Sequence, residues 1–227
     1  MDTYPEQIGP FRLRHELGRS TLYVDYRAED TRTGQDVILK LPGEAFPRRP
    51  ARLTHFVSAG QRAARLDHPN LVPVVAAGET DGVYYVAFAY VPGERLTDLL
   101  ANRETPLAPE KALEIVADIA AALDYAHETG VIHLGLTTDN VIIGDGGHVF
   151  VTDFCLAEGE EVAAVKTADS QPGFETFFLS PEQLRNDLDV DERADVFGLG
   201  VVTYAMLTRR LPFEAASQGA LQRAIIN

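Results

Sequence analysis

The sequence predicts an α+β fold with a small, mostly β N-terminal lobe and a larger, mostly helical C-terminal lobe. Two observations support this prediction. The first ninety residues contain short runs rich in aromatic and β-branched residues, separated by turn residues. After Val91-Pro92-Gly93 the pattern changes to that of long amphipathic helices. We therefore expect a hinge near Pro92, with the lobes at residues 1–91 and 92–227.

In the N-terminal lobe the runs Tyr23–Tyr26 and Val37–Leu39 predict a hairpin, because a polar stretch with a glycine separates them. Leu71–Val75 and Val83–Phe88 predict two further strands. One helix is expected between these strand pairs, over His55–Leu66, where alanine and polar residues dominate and a His-Pro pair follows.

In the C-terminal lobe, apolar residues recur at three- and four-residue spacing from Pro109 to His127, which predicts an amphipathic helix. The runs Val141–Ile143 and Val149–Val151 predict a hairpin through a glycine-rich turn. An irregular segment is expected from Glu158 to Ser180, and a second helix from about Ala194 to Leu207.

The composition limits the classes of protein that the chain can be. Its 45% hydrophobic content supports a packed core, whereas a formal net charge of −14 argues against nucleic-acid binding and against docking on an anionic membrane. Every apolar run is too short to span a bilayer. The single cysteine, Cys155, excludes an internal disulfide and fits a reducing compartment. We expect a soluble, cytoplasmic protein.

Short motifs occur along the chain in a characteristic order. They are Leu17–Tyr23, Val37–Lys40, Leu66–Val72, Val131–Asn140, Asp153-Phe154-Cys155, Ser180-Pro181-Glu182, Asp195–Gly200 and Leu211-Pro212-Phe213. Together they resemble the motifs of bacterial serine/threonine protein kinases, from about residue 11 to residue 213. The resemblance implies a protein-kinase-like two-lobe fold that uses ATP and Mg²⁺.

The resemblance also assigns roles to individual residues. It places nucleotide binding at Leu17, Gly18, Lys40, Ala89 and Val91. It makes Asn140 and Asp153 the magnesium ligands, both being oxygen donors of the kind that a hard cation prefers. Their alternative roles are structural, with Asn140 bracing its loop and Asp153 bonding backbone amides.

Several N-terminal positions depart from the family pattern. Tyr23 falls at the third glycine of the phosphate loop, and Asp25 replaces a valine that covers the adenine. A carboxylate there would face an anionic ligand, which is unfavourable. The glutamate that pairs with Lys40 in the family aligns with Ala59. We therefore expect Lys40 either to swing or to pair with Asp153.

The departures in the catalytic loop are larger. Gly135 stands where the family has its catalytic aspartate, Leu134 replaces the preceding arginine, and Thr137 replaces a lysine that steadies the γ-phosphate. Loss of a general base alone costs about 10²–10⁴ in rate. Asp139 is the nearest acid, but it is displaced by four residues and is expected to cap the loop or to face solvent. Cys155 replaces a glycine and is expected to be inert.

Three hypotheses for function remain open at this stage. The chain is a non-catalytic scaffold or allosteric regulator with a protein partner, a nucleotide sensor that binds ATP without transfer, or a weakly active kinase that uses Lys40, Asn140 and Asp153 with Mg²⁺. Because the family continues through further helices after Leu211-Pro212-Phe213, we expect an incomplete C-terminal lobe. Apolar surface around Val196–Leu207 should then be exposed.

Overall fold

The computed structural model describes residues 4–20, 22–154, 156 and 170–227. The chain divides into two compact units. The N-terminal unit comprises Met1–Asp67 and Val72–Val91, and the C-terminal unit comprises His68–Leu71 and Pro92–Asn227. The thiol of Cys155 and most of the irregular segment expected over Glu158–Ser180 lie outside the described residues.

The N-terminal unit is built on an antiparallel sheet with the strand order β1-β2-β3-β4-β6-β5. Its strands are β1 (Gln7–Ile8), β2 (Phe11–Arg19), β3 (Tyr23–Asp30), β4 (Gln35–Pro42), β5 (Val74–Thr80) and β6 (Val83–Ala89), and its helix is α1 (Pro50–Ala63). Phe11, Leu39, Leu41 and Ala87 are fully buried in the core on this sheet. Helix α1 packs so closely on β5 and β6 that a Cβ atom at Gly60 would lie 2.7 Å from side-chain atoms of both strands.

The predicted hairpin is present as β3 and β4, but two other N-terminal boundaries differ from the prediction. Helix α1 begins at Pro50 and ends at Ala63. It begins earlier than predicted because a proline at the first helical position already has a helical φ. Strand β5 begins only at Val74. Pro73, which has no N–H to donate, precedes it, and Leu71 belongs to the C-terminal unit, where it forms a parallel bridge with Val151.

The C-terminal unit contains a small sheet in the order β7-β8-β9 and five α-helices among its described residues. These elements are β7 (Gly93–Arg95), α2 (Leu96–Ala101), α3 (Pro109–Glu128), β8 (Val141–Gly144), β9 (Val149–Val151), α4 (Pro181–Arg185), α5 (Arg193–Thr208) and α6 (Gln218–Ile226). Short 3₁₀ turns occur at Thr138–Asn140, Asp145–Gly147 and Phe174–Phe178.

Helices α3 and α5 form the centre of this unit and lie within one residue of their predicted bounds. They pack against each other, and Leu107 N, just before α3, donates a 3.0 Å hydrogen bond to Met206 O of α5. Val196, Tyr204 and Leu207 of α5 are exposed, as expected. The hairpin of β8 and β9 is also confirmed.

Among the described residues, none of the helices combines the length and the apolar character that crossing a bilayer would require.

Candidate functional site

The turn between β2 and β3, at the position of the phosphate loop, is closed by hydrogen bonds of its own. Ser20 N donates to Tyr23 O at 2.9 Å. The Ser20 hydroxyl in turn accepts from Leu22 N at 3.3 Å and from Tyr23 N at 3.1 Å. Main-chain N–H groups of such a loop are the donors that hold phosphate in nucleotide sites. Two of them are bonded to a serine here, so a phosphate would have to displace Ser20.

Tyr23, at the position of the third glycine, is a packing residue. Its ring stacks on Phe56 of α1, with centroids 5.5 Å apart and an interplanar angle of 25°, and lies 5.5 Å from the ring of Phe46. Aromatic pairs of this kind contribute about 0.5–1.5 kcal/mol each beyond their buried area. The tyrosine therefore links the hairpin to α1, where a glycine would make no such contact.

Lys40 on β4 forms an ion pair with Asp25 on β3. The two residues are register partners across the hairpin, and Lys40 Nζ lies 2.8 Å from Asp25 Oδ1. The side chains are only 10% and 14% exposed, and the ammonium group also lies 5.3 Å from the Tyr23 ring centroid. Asp25 is a partner of Lys40 that the sequence analysis did not name. Counting outward from the turn of the predicted hairpin places Asp25 opposite Lys40 and could have revealed it.

The other predicted nucleotide-binding residues lie on the same unit. Leu17 and Gly18 are on β2, and Gly18 is the register partner of Asp25, so Gly18, Asp25 and Lys40 form a row across three adjacent strands. Ala89 ends β6, and its backbone N–H donates to Pro73 O at 2.8 Å. Val91 is the last residue of the unit. Two of the predicted nucleotide-binding residues, Gly18 and Lys40, thus lie in one row, with the Asp25 carboxylate between them.

In the C-terminal unit, the backbone of the catalytic loop is held by Asp195 of α5. This carboxylate is 1% exposed and accepts from His133 N at 2.8 Å, from Leu134 N at 2.7 Å and from His127 Nε2 at 2.7 Å. Gln183 Nε2 adds a 2.7 Å hydrogen bond to Leu134 O. Leu134 has a φ of 61°, an uncommon conformation for a leucine that these four bonds maintain.

The close approach of α5 to this loop requires a glycine. A Cβ atom at Gly198 would lie 3.3 Å from Leu136 O and 3.4 Å from Leu136 Cβ. The helix backbone therefore lies directly against the loop, which places Asp195 within reach of its amides.

His133 is fully buried, and both of its ring nitrogens are satisfied. Nε2 donates to Thr152 O at 2.9 Å, and Nδ1 accepts from Gly135 N at 3.2 Å, which defines the neutral Nε2–H tautomer. Burial lowers the pKa of His133, although the charges of Asp195 and Asp153 oppose this effect. His133 is a structural residue of the loop.

The position of the catalytic base holds no acid, since residue 135 is glycine. Asp139, the nearest acid in the loop, belongs to the 3₁₀ turn four residues later, and its backbone N–H donates to Thr137 Oγ1 at 3.1 Å. Thr137 is therefore the residue that caps this turn, and Asp139 contributes its backbone N–H to the cap.

Thr137 also donates two hydrogen bonds to the side-chain oxygen of Asn140. The backbone N–H and the hydroxyl of Thr137 lie 3.0 Å and 2.8 Å from Asn140 Oδ1. A backbone N–H can only donate, so this atom must be the amide oxygen. The amide nitrogen of Asn140 then donates to Asp153 Oδ2 at 3.0 Å.

This arrangement does not fit a magnesium site. Mg²⁺ takes oxygen ligands at about 2.0–2.1 Å in near-octahedral geometry. The side chain of Asn140 presents N–H groups toward Asp153, and its oxygen already accepts two hydrogen bonds from Thr137. Metal ligation by Asn140 would require both of these bonds to break. Within the described residues, no cluster of three or more His, Cys, Asp or Glu side chains could hold a metal ion.

A β-rich unit carrying a lysine–aspartate pair and a helical unit carrying a catalytic loop anchored by a buried aspartate define a protein of the kinase class. Residues 11–227 match the family described as "Protein kinase domain". The chain belongs to this family.

Relatives that are named serine/threonine-protein kinases match over most of the chain. PrkC of Bacillus subtilis is 31% identical over 209 residues, which are 92% of this chain and 32% of PrkC. PknB of Mycobacterium leprae is 34% identical over 94% of this chain and 35% of PknB. This chain spans about a third of the length of the curated relatives that it matches.

The fold also matches solved structures. The crystal structure of the M. tuberculosis PknI kinase domain is 27% identical and superposes with a TM-score of 0.75, covering 91% of this chain and 76% of that one. A double mutant of the same domain gives a TM-score of 0.76 at 26% identity, over 96% of this chain and 84% of that one. The expected protein kinase fold is therefore confirmed.

Proposed function

We propose that this chain is a non-catalytic protein kinase domain, which acts as a scaffold or allosteric regulator through protein–protein contacts. The observation that carries the proposal is Gly135 at the position of the catalytic base, in a loop whose backbone is otherwise held in place by Asp195. The loop keeps its frame and lacks the group that accepts the proton of a substrate hydroxyl.

The size of the expected loss supports this proposal. Family kinases turn over at about 1–100 s⁻¹, and loss of the general base alone lowers the rate by about 10²–10⁴. Thr137 supplies no positive charge to the γ-phosphate, so electrostatic stabilisation of the transition state falls as well. Lys40, the cation that remains, is bonded to Asp25.

A protein partner and a cytoplasmic location belong to the same proposal. Apolar side chains of α3 and α5 are exposed, including Leu113 at 64% and Val196 at 63%. Such side chains favour contact with another protein surface. The net charge of −14 favours a partner with a basic surface.

A phosphotransfer assay tests the proposal. The chain is incubated with radiolabelled ATP and Mg²⁺, alone and with a basic protein substrate, beside the variant Asp153→Asn as the inactive control. We expect equal, background incorporation for both proteins. Incorporation by the wild type that disappears in Asp153→Asn would overturn the proposal and support a weakly active kinase.

A nucleotide sensor is the second candidate function, and it is favoured by the presence of Lys40 and Asp153, which the resemblance assigns to nucleotide and metal binding. A thermal-shift titration with ATP, with and without Mg²⁺, separates it from the scaffold. Binding to the folded state stabilises it by about 2.7 kcal/mol at a hundredfold excess of ligand over the dissociation constant. A scaffold with a closed site gives no shift at millimolar ATP, whereas a sensor gives one.

A further inference from the structure

We propose that Asp25 is an internal ligand of Lys40 that stands in for a nucleotide phosphate and keeps this site closed to ATP. This inference rests on the proposed function, because it explains how a non-catalytic kinase domain is stable with its nucleotide site empty. It assigns to Asp25 a role in ligand exclusion.

The geometry of the pair supports the assignment. The Asp25 carboxylate lies 2.8 Å from the Lys40 ammonium group, which is direct contact between the two charges. Both side chains are largely buried, so solvent screens their attraction poorly. A carboxylate and a phosphate present the same chemistry to an ammonium group, namely anionic oxygens. Asp25 therefore provides from within the chain what a nucleotide would otherwise provide.

The position of Asp25 makes it a direct competitor. It lies between Gly18 on one neighbouring strand and Lys40 on the other, two residues that the resemblance assigns to nucleotide binding. An ATP phosphate that approached Lys40 would meet the Asp25 charge, and two anions in one poorly solvated site repel each other. Binding would require the ion pair to open first.

The phosphate loop gives an independent indication of the same closure. The Ser20 hydroxyl accepts hydrogen bonds from Leu22 N and Tyr23 N, so two loop amides have an internal acceptor. Tyr23 packs on Phe56, which holds the loop in this form. The lysine and the loop amides, two separate groups that bind phosphate, are each bonded to a side chain of the same chain.

The experiment measures the affinity for a fluorescent ATP analogue, without Mg²⁺, in the wild type, Asp25→Asn and Asp25→Val. Valine is the residue of the family pattern and suits a β-strand. Asp36→Asn is the matched control, because it removes one negative charge from the same hairpin, where Asp36 pairs with Arg27 at 2.5 Å. We expect both Asp25 variants to bind at least tenfold more tightly than the wild type, and Asp36→Asn to stay within twofold.

Removal of the lysine identifies the released group. In the double variant Asp25→Val/Lys40→Met, the gain in affinity should disappear if Lys40 is the ligand that Asp25 blocks. The inference is overturned if folded Asp25 variants bind no more tightly than the wild type, or if the gain persists without Lys40.

A measurement on the wild type covers the case in which the variants do not fold. Acylation of lysines, followed by mass spectrometry, compares Lys40 with Lys111, whose side chain is 43% exposed. The closed pair predicts that Lys40 reacts at least tenfold more slowly and that ATP does not change its rate. Rapid labelling of Lys40 that ATP suppresses would overturn the inference.

These outcomes are distinct from those of the phosphotransfer assay. Tighter binding by the Asp25 variants without phosphate incorporation by the wild type supports both proposals. Incorporation by the wild type overturns the non-catalytic function whatever the affinities are. Unchanged affinity overturns only the role of Asp25.

Discussion

Each unit of the chain contains an aspartate that contacts polar groups of its own unit, Asp195 in one and Asp25 in the other, and the two have opposite effects. Asp195 in the C-terminal unit accepts three hydrogen bonds and holds the backbone of the catalytic loop. Asp25 in the N-terminal unit pairs with Lys40, a side chain that the family uses for ligand binding. The Asp195 carboxylate holds the backbone of the catalytic loop, and the Asp25 carboxylate forms an ion pair with the Lys40 side chain.

Under the proposed non-catalytic function, the two units would lose phosphate transfer in two different ways. In the catalytic loop, Gly135 and Thr137 lack the reacting groups, while the hydrogen bonds that shape the loop remain. In the hairpin Lys40 is retained, and Asp25 forms an ion pair with it. Tyr23, in the neighbouring loop, stacks on Phe56.

The largest expected effect on stability concerns Asp195 and its hydrogen bonds to the catalytic loop. Asp195→Ala leaves two buried backbone donors and His127 without their acceptor, and each unsatisfied donor costs about 1–3 kcal/mol. We expect the free energy of unfolding to fall by about 3–5 kcal/mol, measured by urea denaturation. Asp191→Ala removes an acid at the start of α5 that pairs with Arg193 and accepts from Arg193 N, and it should cost much less. Equal effects of the two variants would contradict the role of Asp195.

The next largest effect concerns the ion pair between Asp25 and Lys40. Asp25→Val leaves the Lys40 charge buried without its carboxylate, and breaking a buried ion pair costs about 3 kcal/mol or more. The double variant Asp25→Val/Lys40→Met removes both charges and should unfold within about 1 kcal/mol of the wild type. A double-mutant cycle by urea denaturation measures the coupling. Additive single effects would show that the pair contributes nothing specific.

A pH titration tests the contribution of the buried His133 in the catalytic loop to stability. The pKa of His133 is lowered by burial, so below about pH 6.5 the unfolded chain binds a proton that the folded chain does not. The contribution of His133 to stability is complete above that pH. It falls as the pH decreases toward the lower folded-state pKa, by up to about 1.4 kcal/mol per unit.

Variants identify the source of this slope. Urea midpoints between pH 7.5 and pH 5.5 should show a smaller loss in His133→Asn than in the wild type. His15→Gln, which changes an exposed histidine on β2, is the matched control for the substitution. A slope that is insensitive to His133→Asn would assign the pH dependence to other groups.

The smallest expected effect concerns the turn that holds Asn140. Thr137→Val keeps the shape of the side chain but removes the hydroxyl that accepts from Asp139 N and donates to Asn140 Oδ1. Loss of such a cap lowers the free energy of unfolding by about 1 kcal/mol. Thr137→Ser keeps the hydroxyl and should resemble the wild type in thermal denaturation. A valine variant as stable as the serine variant would show that the hydroxyl is dispensable.

The sequence predicts well the parts of the fold that depend on periodic burial. Helix α3 has apolar residues at three- and four-residue spacing and a proline at its start, and its observed bounds, Pro109–Glu128, differ by one residue from the prediction. Helix α5 agrees equally closely. Helices α2 and α6 were not predicted, because runs of six and nine residues are too short to define a period.

The sequence indicates the positions of the candidate site residues, but it does not indicate which side chains those residues contact. Lys40, Gly135, Asn140 and Asp153 could be located because motif order and spacing identify a position whatever residue occupies it. Their partners depend on tertiary geometry. Thr137 bonds Asn140 through a local turn that motif alignment does not describe. Strand register pairs Asp25 with Lys40 in the same way, beyond what composition indicates.

The aromatic contact above Lys40 has a practical consequence for optical work. The chain contains no tryptophan, so Tyr23→Trp would introduce a single indole next to the lysine, stacked on Phe56. Selective excitation of the indole would then report from one known location. A change in emission on adding a ligand would follow the lysine as it exchanges its partner, and stopped-flow mixing would give the rate at which this happens.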